Sequence, residues 1–236
     1  MSGWAKGRLC AFDTETDCAE PEDARIITAT VLFLGGGQDR VDRQWLLRPE
    51  RPIPAEATAV HGITTEHAQE HGMDRAEAIT QIAAEIEGAF VHGVPVVVFN
   101  AAFDFTVLDR ECRRVGATVP DPASALVIDP HVIDKAVDRY RRGKRTLGAT
   151  CEQYGIDLGE AHDATADALG AARLAYMLAT RFPAEVGERS LAELQAFQVE
   201  WRARQSASLQ EYFAKQGKDE VVDGSWPLRV FSGVVA

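Results

Sequence analysis

The chain has 236 residues, 46% of them apolar, and a formal net charge of −11. That length fits one generous domain with an appendage. No apolar run reaches a membrane span, the N-terminus lacks a secretory stretch, and Cys10, Cys18, Cys112 and Cys151 form no Cys-x-x-Cys pair. These features predict a cytoplasmic protein with reduced thiols and no membrane partner, and the acidic balance argues against extensive polyanion binding.

Residues 9–14 form a short apolar run ending in acid, and 25–34 form a longer β-rich run. Gly35-Gly36-Gly37 supplies a turn into a third strand at 41–47, so the first three strands read as an antiparallel meander. Prolines 49, 52 and 54 break regular structure before a short helix at 56–60. Apolar residues recur at helical spacing over 74–91 (Ile79, Ile82, Ala83, Ile86, Phe90). The almost continuous apolar run 94–99 reads as a central strand buried on both faces. A helix at 103–115, a strand at 125–128 and helices at 130–140, 147–154 and 164–181 complete a mixed α/β sheet with helices packed on its faces. Beyond Pro183, residues 188–216 carry an apolar and aromatic stripe, and the end of the chain reads as irregular. The expected division is 1–182 as the main domain and 183–236 as a helical extension with an irregular tail.

Asp13 and Glu15 are two apart, which on a strand turns both carboxylates to one face. Two hard oxygen donors there suit magnesium or manganese. Asp104 follows the central strand, where the carboxyl edge of a sheet forms crevices; taken singly, it reads more readily as a first-turn acid favouring the helix dipole. His162 and Asp167 are five apart, roughly 140° around a helix of about 3.6 residues per turn. Both can face one site only if Asp167 is helical and His162 lies in the preceding loop, with Asp163 as cap. A loop histidine with an ordinary pKa near 6.5 can take a proton from water. His67 and His71 lack the glutamate of a metalloprotease motif and read as solvated. Against the acidic trend, Arg139, Arg141, Arg142, Lys144 and Arg145 place five cations within seven residues, a solvated loop or a grip on a phosphate backbone.

Taken in order, these segments resemble the DEDDh (DnaQ-like) 3′–5′ exonuclease family, and within it the epsilon-type proofreading subunits of bacterial DNA polymerase III. Phe12-Asp13-Thr14-Glu15-Thr16 is similar to the first motif, Asn100-Ala101-Ala102-Phe103-Asp104 to the second, and the stretch from His162 to Asp167 to the third. Val60-His61-Gly62-Ile63-Thr64 also matches the family pattern. The resemblance covers roughly 9–181 and implies a ribonuclease-H-like, mixed five-stranded sheet. It further implies two divalent cations, Mg2+ or Mn2+, held by Asp13, Glu15, Asp104 and Asp167, with His162 as general base. Thr14, Thr16, His61, Asn100 and Phe103 match positions that frame the terminal nucleotide. The implied reaction releases nucleoside 5′-monophosphates from a DNA 3′ end, single-stranded DNA first, in proofreading or repair. RNA trimming is the alternative substrate reading. A reading of another class makes the chain an interaction module whose extension binds a polymerase, a repair partner or a second copy. Two departures stand out: Thr16-Asp17-Cys18 replaces the family's Thr-Thr-Gly, and Phe99 stands where the proofreading subunit often has histidine.

Overall fold

The computed structural model describes residues 3–121, 126–158 and 164–231. Strands β1 (Arg8–Thr16), β2 (Ile26–Gly35) and β3 (Val41–Leu46) form the expected antiparallel meander. Two parallel strands, β4 (Val96–Val97) and β5 (Val127–Ile128), extend it on the other side, giving the order β3-β2-β1-β4-β5. This is the mixed five-stranded sheet the motifs implied.

Alternation along β1 sorts its side chains between two cores. Cys10 and Phe12 face helices α3 (Arg75–Val91) and α4 (Ala101–Val115), packing with Ile79, Ile82, Ile86 and Phe105. Leu9 and Ala11 face α5 (Pro130–Val137), α6 (Leu147–Gln153) and α7 (Ala164–Arg181), packing with Ile133, Cys151 and Leu174. Two short helices, α1 (Ala55–His61) and α2 (Thr65–His71), lie between the meander and α3. The sequence reading gave no helix at 65–71, because Ala68 is its single buried residue.

The outer face of α4 is not a solvent face. Glu111 is fully buried between Arg75 and Arg114, and Arg110 is fully buried against Asp109 and Glu22. These pairs fasten α4 to α3 through Arg75 and to the segment after β1 through Glu22. Removing one partner of such a pair would strand a buried charge.

The extension is built into this body. Helix α8 (Leu191–Lys215) opens on a Ser190–Glu193 capping box and inserts Leu194 into the α7-side core. Its glutamines behave like a sixth strand along β5. Gln195 accepts from Val127 N at 3.1 Å, while Gln198 accepts from Asp129 N at 2.6 Å and donates to Val127 O at 2.9 Å. A sheet edge that would otherwise present unpaired backbone groups is thereby closed. No helix among the described residues is long and apolar enough to cross a membrane.

Candidate active site

The parallel arrangement brings the carboxyl ends of β1, β4 and β5 to one edge, where the acidic motifs meet. At the end of β4, Asn100 adopts a left-handed backbone conformation, with φ 66° and ψ 51°. Asparagine tolerates that region better than most residues. The turn sends the chain directly into α4 and places Asp104 in its first turn. Asp104 Oδ1 accepts from Thr14 N at 3.0 Å and Thr14 Oγ1 at 2.7 Å. A hydroxyl and a backbone N–H on β1 thus fix the carboxylate of the second motif.

The left-handed turn has its own support. Asp129, just after β5, accepts from Asn100 N (2.9 Å), Ala101 N (3.0 Å), His131 N (3.0 Å), Val132 N (3.3 Å) and Trp226 Nε1 (3.1 Å). It therefore caps α5 and holds the start of α4 together. The sequence reading missed Asp129, although Asp-Pro at a helix start is a recognisable signal. Its reach to α4 and Trp226 had no local signal. His131 packs its ring on Phe99 with centroids 5.2 Å apart, so a histidine stands beside the residue that departs from the family pattern.

By the same alternation that points Thr14 at α4, Asp13 and Glu15 point at α7. One carboxylate oxygen from each of Asp13, Glu15 and Asp167 lies within 4.8 Å of the others. Left to themselves these groups repel. Burial, then the charges of Asp104, Asp167 and Glu15, push Asp13 well above the usual carboxylate range. Burial, then Asp167 and Asp104, raise Glu15 from 4.5 to about 7. Burial raises Asp104 to about 7, the Thr14 bonds oppose it, and the Asp129 charge adds to it. Oxygens about 2.0–2.1 Å from a magnesium ion must approach one another about this closely, and an all-carboxylate set is what a hard divalent cation prefers. The residues fit the metal. His162, the expected base, and Asp163 lie outside the described residues.

Beside the carboxylates, a cleft of about 770 Å³ is lined by Thr14, Glu15, Thr16, His61, Asn100 and Phe103 among others. It gathers the five positions expected to frame a terminal nucleotide. His61 ends α1, and Gly62 follows it at φ 76°, the left-handed helix stop that glycine permits. The His61 Nδ1 accepts from Ile63 N at 3.1 Å, and burial lowers the ring's pKa, so a neutral ring carries its hydrogen on Nε2. That nitrogen is buried and has no partner among the described residues. Asp17, one of the departures, is held by basic residues. It binds Arg51 Nε at 2.5 Å and Arg25 N at 2.8 Å. Burial alone would raise its pKa, but these bonds outweigh that and lower it.

The basic segment is elsewhere. Arg141 and Arg145 both bind the buried Asp134, at 2.7 and 2.6 Å, and so fold the loop onto α5. Arg142 and Lys144 are exposed. Arg139 lies over Trp201 of α8. The surrounding cleft shares no lining residue with the one at the carboxylates.

The Exonuclease family profile (RNase T type) matches residues 10–175, most of the chain. The chain belongs to the Exonuclease family. Among its relatives, DNA polymerase III subunit epsilon of Haemophilus influenzae is 30% identical over 157 residues, 64% of this chain and 58% of that protein. An epsilon-like protein of Rhodobacter capsulatus is 31% identical over 166 residues, 68% of this chain but 22% of its own length. Escherichia coli exonuclease I, solved with a dT13 oligonucleotide, shares the fold at a TM-score of 0.63 and 19% identity, over 75% of this chain and 42% of that one. The chain spans less than two thirds of the length of each of these relatives.

Proposed function

We propose that the chain is a metal-dependent 3′–5′ exonuclease that releases nucleoside 5′-monophosphates from the 3′ end of a DNA strand. The observation that carries this reading is the meeting of Asp13, Glu15 and Asp167 beside a cleft lined by His61, Asn100 and Phe103. Asp13, Glu15, Asp104 and Asp167 would hold two divalent cations, Mg2+ or Mn2+. Bound there, the pair supplies Lewis acidity and offsets charge during in-line displacement at phosphorus. The Thr14–Asp104 bonds keep one carboxylate oriented as the strand enters. Phe103 offers a ring to the last base, a sequence-tolerant contact worth about 1–3 kcal/mol. His61 Nε2 donates to the terminal nucleotide. His162 takes the proton from the attacking water, and the 3′ oxygen of the penultimate nucleotide leaves.

Single-stranded DNA is favoured because exonuclease I has been solved with such a strand and the epsilon relatives belong to a DNA polymerase. A polymerase or repair partner for this chain follows the same relatives. The test is digestion of matched 5′-labelled DNA and RNA strands with Mg2+, Mn2+ or chelator, with Asp13→Ala as control. The expected result is stepwise shortening from the 3′ end that needs the cation and Asp13, faster on DNA. His162→Ala should lose rate far more than strand affinity. Uncut strands under both cations would end the proposal, and faster RNA trimming would reassign the substrate.

A further inference from the structure

A cleft of about 590 Å³ lies between α5, the loop after it that carries the basic segment, and α8. Its lining includes Lys135, Arg139, Arg141, Arg145 and Arg204 and no carboxylate, in a chain of net charge −11. Not all of these cations are free. Arg141 and Arg145 are held by Asp134, and Arg204 pairs with Glu200 at 2.5 Å. Lys135 and Arg139 have no carboxylate partner among the described residues. Burial, then the charges of Arg202 and Arg145, lower the pKa of Lys135, against the opposing charges of Asp129 and Asp134.

Aromatic rings alternate with the cations. Arg139 lies 4.9 Å from the Trp201 centroid and 5.6 Å from that of Tyr140, and Arg204 lies 5.1 Å from Trp201. Tyr140 is 87% exposed and Tyr212 is 55% exposed. Gln205 also lines the cleft; its amide donates to Val132 O at 3.0 Å, while its buried Oε1 has no partner.

We infer that this cleft binds a segment of single-stranded nucleic acid distant from the carboxylates. Cations spaced between ring faces match a polymer whose phosphates alternate with planar bases. An acidic peptide would match the charges and leave the rings unused. That the occupant is the strand being shortened rests on the exonuclease reading.

The test measures fluorescence anisotropy of 5′-labelled oligodeoxythymidylates of about 4 and about 16 nucleotides, bracketing common single-strand site sizes. The full chain is used, with Asp13→Ala to prevent cleavage. The long strand should bind more tightly, and Trp201→Ala should cut the long-to-short affinity ratio about tenfold. Arg139→Glu, at an exposed position outside the core, should do the same and flatten the salt dependence. An unchanged ratio in folded Arg139→Glu overturns the inference. So does polyglutamate that displaces the long strand as well as an unlabelled oligonucleotide does, because charge alone would then suffice. Cleavage of the 4-nitrophenyl ester of thymidine 5′-monophosphate by the wild-type chain separates the two claims, since that ester is too small to span both clefts. An inert ester with Trp201-dependent binding intact sinks the exonuclease reading alone, and a cleaved ester with an unchanged ratio sinks the cleft alone.

Discussion

Replacing Glu15 by Gln should stabilise the chain at alkaline pH when divalent cations are chelated. The Glu15 carboxyl is raised from 4.5 to about 7 by burial and by Asp167 and Asp104. A carboxyl raised on folding makes the native state bind more protons than the unfolded chain between those two values. Wild-type stability must therefore fall as pH rises through that window. The penalty is absent below about pH 4.5, grows towards pH 7 and is fully present above it. A rise of that size at about 1.4 kcal/mol per unit gives roughly 3 kcal/mol, which solvent screening at this half-buried position reduces to about 2 kcal/mol. For a chain of this length that is roughly 4–8 °C in melting temperature. The assay is thermal unfolding of wild type and Glu15→Gln in EDTA from about pH 5 to 8. The difference between the two cancels groups they share, including His61 and His131, both lowered by burial. Saturating Mg2+ should reverse the sign, because wild type gains binding energy that the variant lacks. A variant no more stable than wild type at about pH 8 in EDTA, or a gap that widens towards acid, would refute the picture of crowded carboxylates.

Asp129→Asn leaves one acceptor for five donors and should lower stability by about 1–3 kcal/mol. It should also reduce kcat with little change in KM, because Asp129 positions the start of α4; a wild-type kcat removes that positioning role. Gln198→Leu strips Val127 O of β5 and the Asp129 amide just after it of their partners and should speed hydrogen exchange at the Asp129 amide, measured by mass spectrometry; unchanged protection would show the edge is closed by something else. Cys18 should react with thiol reagents ahead of Cys10, Cys112 and Cys151, which are fully buried. Because Cys18 lines the same cleft as His61 and Phe103, a nucleoside 5′-monophosphate with Mg2+ should slow its labelling; equal rates would place the nucleotide elsewhere.

The parts of this fold that were legible in the sequence are those governed by short-range patterns. The meander of β1 to β3 and helices α3, α4 and α7 follow from alternation, Gly-rich turning and helical spacing. Asp13 and Glu15 share a face because strand geometry leaves no other arrangement. The parallel strands were overestimated: the apolar run 94–99 contributes only Val96–Val97 to a named strand, because Asn100 already turns the chain and Phe99 packs on His131. The charged face of α4 was illegible. Glu22, Arg75 and Arg229 O, its partners, are remote in sequence, and nothing local distinguishes a buried arginine from a solvated one. The stripe beyond Pro183 was readable as a packing surface, and Leu194 and Phe197 do pack on the body. Leu209 and Tyr212 on the same helix stay exposed.

The extension bears on the chemistry more directly than its distance along the chain suggests. Gln198 and Trp226 both bond to Asp129, one at its amide and one at its carboxylate. Arg229 N donates to Thr106 Oγ1, and Arg110 donates to Arg229 O, so the tail is also fastened to the helix that carries Asp104. The second acidic motif is thus held from three sides: by Thr14 on β1, by Asp129 after β5, and by residues more than a hundred positions downstream. A carboxylate crowded against like charges needs such support, because its neighbours push it outward whenever cations are absent. That explains why a small sheet with two-residue parallel strands is closed by a helix and an irregular tail rather than left with an open edge. Further along the same helix, Trp201 and Arg204 line the second cleft, so one element both closes the sheet edge beside the acidic motifs and lines that cleft.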